Sequence, residues 1–286
     1  MIKLYISLFF LMLLSAPAFG SDRQILEMSC EGELVQGGFV ICSLPKTTFG
    51  NYQIKYGNDK TTGISAAHPA LIPFSRNSAL HVELTVIGNS SDQQQIKPVS
   101  LQLGKGTWAI ERIDGLPPGK VTPRTLEQQR KVEADWIKKQ AAWKHRANAS
   151  WYANGFSKPV AKSRISGVYG SQRILNGQPK NPHLGYDFAA PKGTIIHAPA
   201  NAMVVLADPD MYFEGGLLIL DHGDGVMSVM LHLSRLDVKA GDKVNQGEAI
   251  GAVGATGRAT GPHLHWGIKV RGTYINPKLL LDYQVK

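Results

Sequence analysis

The chain has 286 residues, of which 43% are hydrophobic and 19% charged, and its formal net charge is +9. That length accommodates two modest domains, and the composition is that of a folded globular protein rather than a disordered one. The basic balance favours anionic partners, but there is no nucleic-acid motif and no basic stripe interleaved with aromatics, so nucleic acid is not expected.

The N-terminus opens with Lys3, an apolar run over residues 4–14, and the small residues Ala18 and Gly20 flanking Phe19. This is the pattern of a secretory signal over residues 1–20. The run is shorter than the roughly 20 apolar residues of a spanning helix, and no later stretch approaches that length. No integral membrane span is therefore expected once the signal is removed; a retained N-terminal anchor is the competing reading. Export makes a disulfide permissible. The two cysteines, Cys30 and Cys42, flank a turn at Gln36-Gly37-Gly38 that would set them opposite each other on neighbouring strands. We expect a bond between them, against the alternative of two reduced core thiols.

Residues 21–119 are predicted to form a small N-terminal β-sandwich-like domain. Tyr52-Gln53-Ile54-Lys55-Tyr56, residues 80–86 and residues 99–103 alternate apolar and polar side chains, the mark of half-buried strands. Leu116-Pro117-Pro118-Gly119 ends this domain. A helical linker is predicted over residues 120–154, with a helix from 126 to about 147 that opens on a capping box of Thr125 and Gln128. Its mostly charged surface suggests a spacer between domains; lying over a cleft is the weaker alternative. From residue 155 to 286 glycine becomes frequent and helical periodicity disappears. Residues 203–206, 217–220 and 226–233 read as strands, and Asp221-His222-Gly223-Asp224-Gly225 is a hairpin signal. The fold class is therefore mainly β, with a C-terminal antiparallel β domain of about 130 residues.

The chemistry concentrates in that last domain. Five of the nine histidines lie in or beside three patterns: His183-Leu184-Gly185-Tyr186-Asp187, Met230-Leu231-His232-Leu233, and Gly261-Pro262-His263-Leu264-His265-Trp266. On a strand His263 and His265 face the same side. Four extended residues cover roughly 13 Å, so His183 and Asp187 can share an ion only if the chain bends between them, and Gly185 permits a bend. Two histidines and a carboxylate suit a catalytic Zn²⁺ that keeps one position open. Each pattern alone is modest evidence; their conjunction in one β-rich domain is not. His222 is read as a hydrogen-bonding turn residue, His197 as a satisfied core residue, and Arg173 as either a carboxylate binder or half of an ion pair. The glycines of residues 251–261 lack the Lys-Ser or Lys-Thr of a phosphate loop.

Residues 167–277 resemble the lysostaphin and LytM-type zinc metallopeptidases. The resemblance is carried by Tyr169-Gly170-Ser171-Gln172-Arg173, the His183 to Asp187 stretch, Gly241-Asp242-Lys243-Val244, Gly254-Ala255-Thr256-Gly257, Gly261-Pro262-His263-Leu264-His265 and Asn276-Pro277. It implies that His183, Asp187 and His265 are metal ligands for Zn²⁺ and that His232 and His263 are a non-ligand catalytic pair. His263 would take a proton from the attacking water and His232 would stabilise the oxyanion, although the two roles can be exchanged. Met230 stands where the family usually has an aromatic residue, and Leu231 where a smaller one is expected; both are placed on the cleft wall.

The function expected is that of a secreted zinc metalloendopeptidase hydrolysing stem-peptide cross-links of peptidoglycan in the periplasm, at bonds beside D-amino acids. The alternative is a non-catalytic activator or binding protein of another wall hydrolase, with the N-terminal domain recruiting a regulatory partner. Retention of all five site positions argues against it.

Overall fold

The computed structural model describes residues 25–45, 51–57, 60–65, 68–88, 95–123 and 125–283. The signal-type segment 1–20 lies outside them. Among the described residues no helix is long and apolar enough to cross a membrane.

The N-terminal strands form two antiparallel sheets. One has three strands, Ser29–Glu33, Phe39–Ser43 and Ala70–Pro73; the other runs Lys60–Ser65, Asn51–Tyr56, His81–Gly88, Val99–Gln102. The expected alternation holds: Tyr52, Ile54 and Tyr56 are buried while Gln53 and Lys55 are exposed. Val40, Cys42 and Ile72 from the first sheet and Tyr52, Ile54 and Leu84 from the second share one core. The hairpin registers Cys30 against Cys42, and the two are joined by a disulfide.

The helix spans Leu126–Ala142 and carries the expected capping box at Thr125 and Gln128. It ends about five residues before the expected position. Beyond it the chain is drawn to the buried Asp221, whose Oδ2 lies 2.7 Å from His145 Nδ1 and accepts a hydrogen bond from Ala147 N at 2.8 Å. Most of its surface is exposed, as expected, but the helix is also anchored to the C-terminal domain. Asp135 is buried on it, accepting from Lys131 Nζ at 2.9 Å and from Tyr212 N at 2.7 Å, and Lys138 pairs with Asp208 at 2.7 Å.

The C-terminal domain is built on an antiparallel sheet in the order Arg164–Gly167, Tyr186–Ala189, His263–Val270, Val226–Leu233, Gly215–Asp221, Ala202–Met211, Lys243–Val244, with Thr273–Ile275 also paired to His263–Val270. The hairpin expected at 221–225 joins Gly215–Asp221 to Val226–Leu233, and Gly223, Asp224 and Gly225 take left-handed backbone there. Leu218, Leu220, Met230, Leu264, Trp266 and Ile268 fill the core.

The two halves are knitted together. Strand Ile110–Ile113, on the N-terminal side of the boundary expected at residue 119, pairs in parallel with Gln172–Leu175. Arg271 donates to Asp224 and, across the junction, to Tyr56 Oη and Leu71 O.

Candidate metal centre and cleft

Strand His263–Val270 divides its residues by alternation. Leu264, Trp266, Ile268 and Val270 are wholly buried in the core, so His263, His265, Gly267 and Lys269 face the other side of the sheet. Asp187 stands directly opposite His265 on the neighbouring strand. His183 arrives from the preceding loop, held by His183 N donating to Ser171 O at 2.8 Å and Gly170 N donating to His183 O at 2.7 Å.

The chain bends between His183 and Asp187 as expected, but Gly185 serves it for a different reason. Gly185 does not take left-handed backbone. Instead a Cβ there would sit 2.5 Å from the His265 ring, and one at Gly167 would sit 2.3 Å from Asp187 Oδ2. Both glycines make room for the cluster.

His183 Nε2, Asp187 Oδ1 and His265 Nδ1 converge, with separations of 3.0 Å, 2.9 Å and 2.8 Å. His183 Nδ1–H donates to Val168 O at 3.0 Å, which leaves Nε2 of the neutral ring a lone pair. At most one proton, on His265 Nδ1, is then available to three buried acceptors. A nitrogen–oxygen–nitrogen set so poor in protons is a donor set for a cation, and it matches the ligand types of zinc. Burial pushes His265 down to about 4 against the pull of Asp187, so the ring is neutral at neutral pH, the form that ligates metal. Burial also opposes ionisation of Asp187, but its contacts with His183 and His265 outweigh this and hold the carboxyl well below the usual range.

His232 and His263 stand together beside this tripod, ring centroids 4.8 Å apart. His263 Nδ1–H donates to Gly261 O at 2.8 Å and His232 Nδ1–H to Thr256 O at 2.9 Å. Each neutral ring thus keeps Nε2 as its open acceptor. Burial, then the neighbouring His263 and His265, push His232 down to about 3. His232 has φ +70°, a conformation uncommon outside glycine. Regular alternation would send it into the core after Leu231; the left-handed turn brings both onto the cleft. Met230, expected on the cleft wall, is instead fully buried and registered against Trp266. It faces the core because it alternates with Leu231, which does line the cleft.

The cleft has a volume of about 740 Å³ and runs from His183, His232 and His265 to Trp136 of the long helix, Trp143 at that helix's C-terminal cap, and Lys269. A smaller cavity of about 110 Å³ adjoins Asp187, His232 and His263 and is walled by Glu111 and Ile113. Arg173 is an ion-pair residue here, 3.2 Å from Glu111 and 3.3 Å from Asp187. His222 is fully buried, with Nδ1–H donating to Asn201 O at 2.9 Å and Nε2 accepting from Ser228 at 2.7 Å. His197 is half-buried at the end of strand Ile195–His197. The carbonyls of Val168 and Thr256, which orient His183 and His232, were not anticipated, since a backbone acceptor leaves no mark on residue type. Nor was Glu111, which belongs to the half of the chain read as lacking chemistry.

A β-sheet cleft floored by a histidine–aspartate–histidine tripod, with two further imidazoles beside it, is the architecture of a metallopeptidase domain. The model described as Peptidase family M23 matches residues 181–277, so this part of the chain carries a peptidase M23 family domain. It is 29% identical over 273 residues to the peptidoglycan DD-endopeptidase ShyA of Vibrio cholerae, an alignment covering 90% of this chain and 62% of ShyA. It is 38% identical over 122 residues to ShyC of the same organism, covering 42% of this chain and 28% of ShyC. The chain thus spans less than two thirds of either relative. A crystal structure of an M23-type peptidase from Pseudomonas aeruginosa superposes with a TM-score of 0.65 at 25% identity, covering 87% of this chain and 95% of that one.

Proposed function

We propose that this chain is a zinc-dependent endopeptidase that hydrolyses stem-peptide cross-links of peptidoglycan, exported to the periplasm. The observation that carries the reading is the convergence of His183, Asp187 and His265 on one point, with His232 and His263 alongside. The naming of ShyA and ShyC as peptidoglycan DD-endopeptidases supports the substrate class.

His183, Asp187 and His265 would hold the ion. When bound, zinc acidifies water and polarises a peptide carbonyl. His263, its Nδ1–H tied to Gly261 O, presents Nε2 as the base that takes the proton of the attacking water and passes it to the leaving amine. His232, oriented by Thr256 O, would donate to the oxyanion of the tetrahedral intermediate from Nε2 after taking up a proton from solvent. The open cleft leaves room for an extended peptide across the sheet.

The test uses purified protein and cross-linked muropeptide dimers. Chelation should abolish conversion of dimer to monomer and stoichiometric zinc should restore it. His232→Ala should lower turnover by about a hundredfold or more while retaining one zinc per chain by elemental analysis. A zinc-replete wild type that leaves dimers intact overturns the proposal.

A further inference from the structure

The cleft extends well past the tripod, and its far end holds a cation that the chemistry above does not use. Lys269 lies on the same face of the same strand as His265, four residues on, which places it about 13 Å from that ligand. Gly267 stands between them, with Leu184 O and the Tyr274 ring lying over it, and both His265 and Lys269 line the same cleft. Lys269 Nζ sits 3.1 Å from the centroid of the Trp143 ring and 5.2 Å from that of Tyr274. Among the described residues no carboxylate lies within ion-pair distance of it; the nearby acid, Glu214, is already paired with Lys139. Apart from Glu214, the other charged side chains lining the cleft, Lys139, Arg173, Lys180 and Arg258, are all cationic. Burial, and then Lys139, lower the Lys269 ammonium to about 8, so it is still charged at neutral pH yet poorly solvated.

A half-buried cation held by aromatic faces and lacking a counter-ion is a seat for an anion. Resting on the peptidase reading above, we propose that Lys269, with Trp143 at the C-terminal cap of the long helix, forms a subsite that binds a free carboxylate of the peptide substrate away from the scissile bond. The helix is then a wall of the substrate cleft, and Lys269 is a specificity residue. An extended peptide covers the gap from metal to subsite in roughly four residues, or in fewer when the carboxylate is carried on a long side chain.

The test compares one cross-linked muropeptide dimer having its free carboxylates with the same dimer fully amidated. Zinc-loaded full-length protein should cleave the acid form about tenfold better in kcat/KM, mainly through KM, the scale of one charge-assisted contact. Lys269→Met should cleave both forms alike, at the rate of wild type on the amide, and Lys269→Arg should restore part of the preference. Calorimetric titration of both dimers into zinc-loaded His263→Ala, with Lys269 intact or replaced by Met, reads the same preference as binding. That separates a failed subsite from a failed peptidase reading: a protein that does not cut but binds the acid form through Lys269 keeps this inference. An acid-over-amide ratio unchanged in Lys269→Met overturns it, as does a melting temperature that falls in Lys269→Met with no change in that ratio, the result of a purely structural lysine.

Discussion

Single side chains here are set by what their second polar atom does. Val168, Thr256 and Gly261 each take one imidazole proton through a backbone carbonyl, and the opposite nitrogen is thereby committed to the cleft. Second contacts of this kind orient ligands and bases. His222 shows the same logic used for stability. It is fully buried between Asn201 O and the Ser228 hydroxyl, which also accepts from Trp266 Nε1 at 2.9 Å, and burial pushes it down to about 4. A folded-state value below the unfolded 6.5 means that the unfolded chain takes up a proton first as pH falls. Stability is therefore intact above about 6.5 and is lost between there and about 4, by on the order of 2–3 kcal/mol. We expect the slope of melting temperature against pH in that window to be shallower in His222→Gln than in wild type, read by circular dichroism.

At the scale of elements, the long helix and the sheet are locked by two buried carboxylates. Asp135 reaches from the helix to the backbone N–H of Tyr212. Asp221, at the end of its strand, takes His145, Ala147 N and, at 2.9 Å, Gly223 N. It thus stops the helix and shapes the hairpin together. Asp221→Ala leaves two buried N–H groups without an acceptor and should cost about 2–4 kcal/mol in urea denaturation. The end of the helix should also lose order, which amide hydrogen exchange over residues 138–147 would report. Because Trp136 on this helix and Trp143 at its cap wall the cleft, its anchoring bears on substrate binding as well as on stability.

At the scale of the whole molecule, the junction between the halves joins an apolar contact, in which Phe39 and Leu71 pack into the C-terminal core and Phe39 meets the Tyr283 ring edge-on at 5.5 Å, to specific polar ties. Arg271, with φ +42°, bonds Asp224 in its own domain and Tyr56 and Leu71 in the other, while Tyr152 Oη donates to Pro69 O at 2.6 Å and Asn276 N to Gly37 O at 2.7 Å. Arg271→Met should remove about 2–3 kcal/mol of coupling and produce a separate, lower-temperature unfolding transition in calorimetry, with zinc content unchanged. The strand Ile110–Ile113 adds a second tie, and it carries Glu111 to the cavity beside His263.

Local pattern was enough to read the strands of both halves, the capping box and the pairing of Cys30 with Cys42, and it singled out three histidine-bearing stretches; the roles of His183, Asp187, His232, His263 and His265 were implied by the family resemblance. The local readings rest on short-range rules: side chains alternate along a strand, a turn sets hairpin register, and metal ligands come from few residue types. The end of the helix at Ala142, the burial of Met230, the left-handed turn at His232 and the placement of Glu111 and Lys269 could not be read that way. Every one depends on a partner distant in the chain: Asp221 for the helix end, Trp266 for Met230, Glu214 and Thr256 for His232, Arg173 for Glu111, Trp143 for Lys269. A sequence displays which groups are present, whereas the packing of separate elements settles which of them meet.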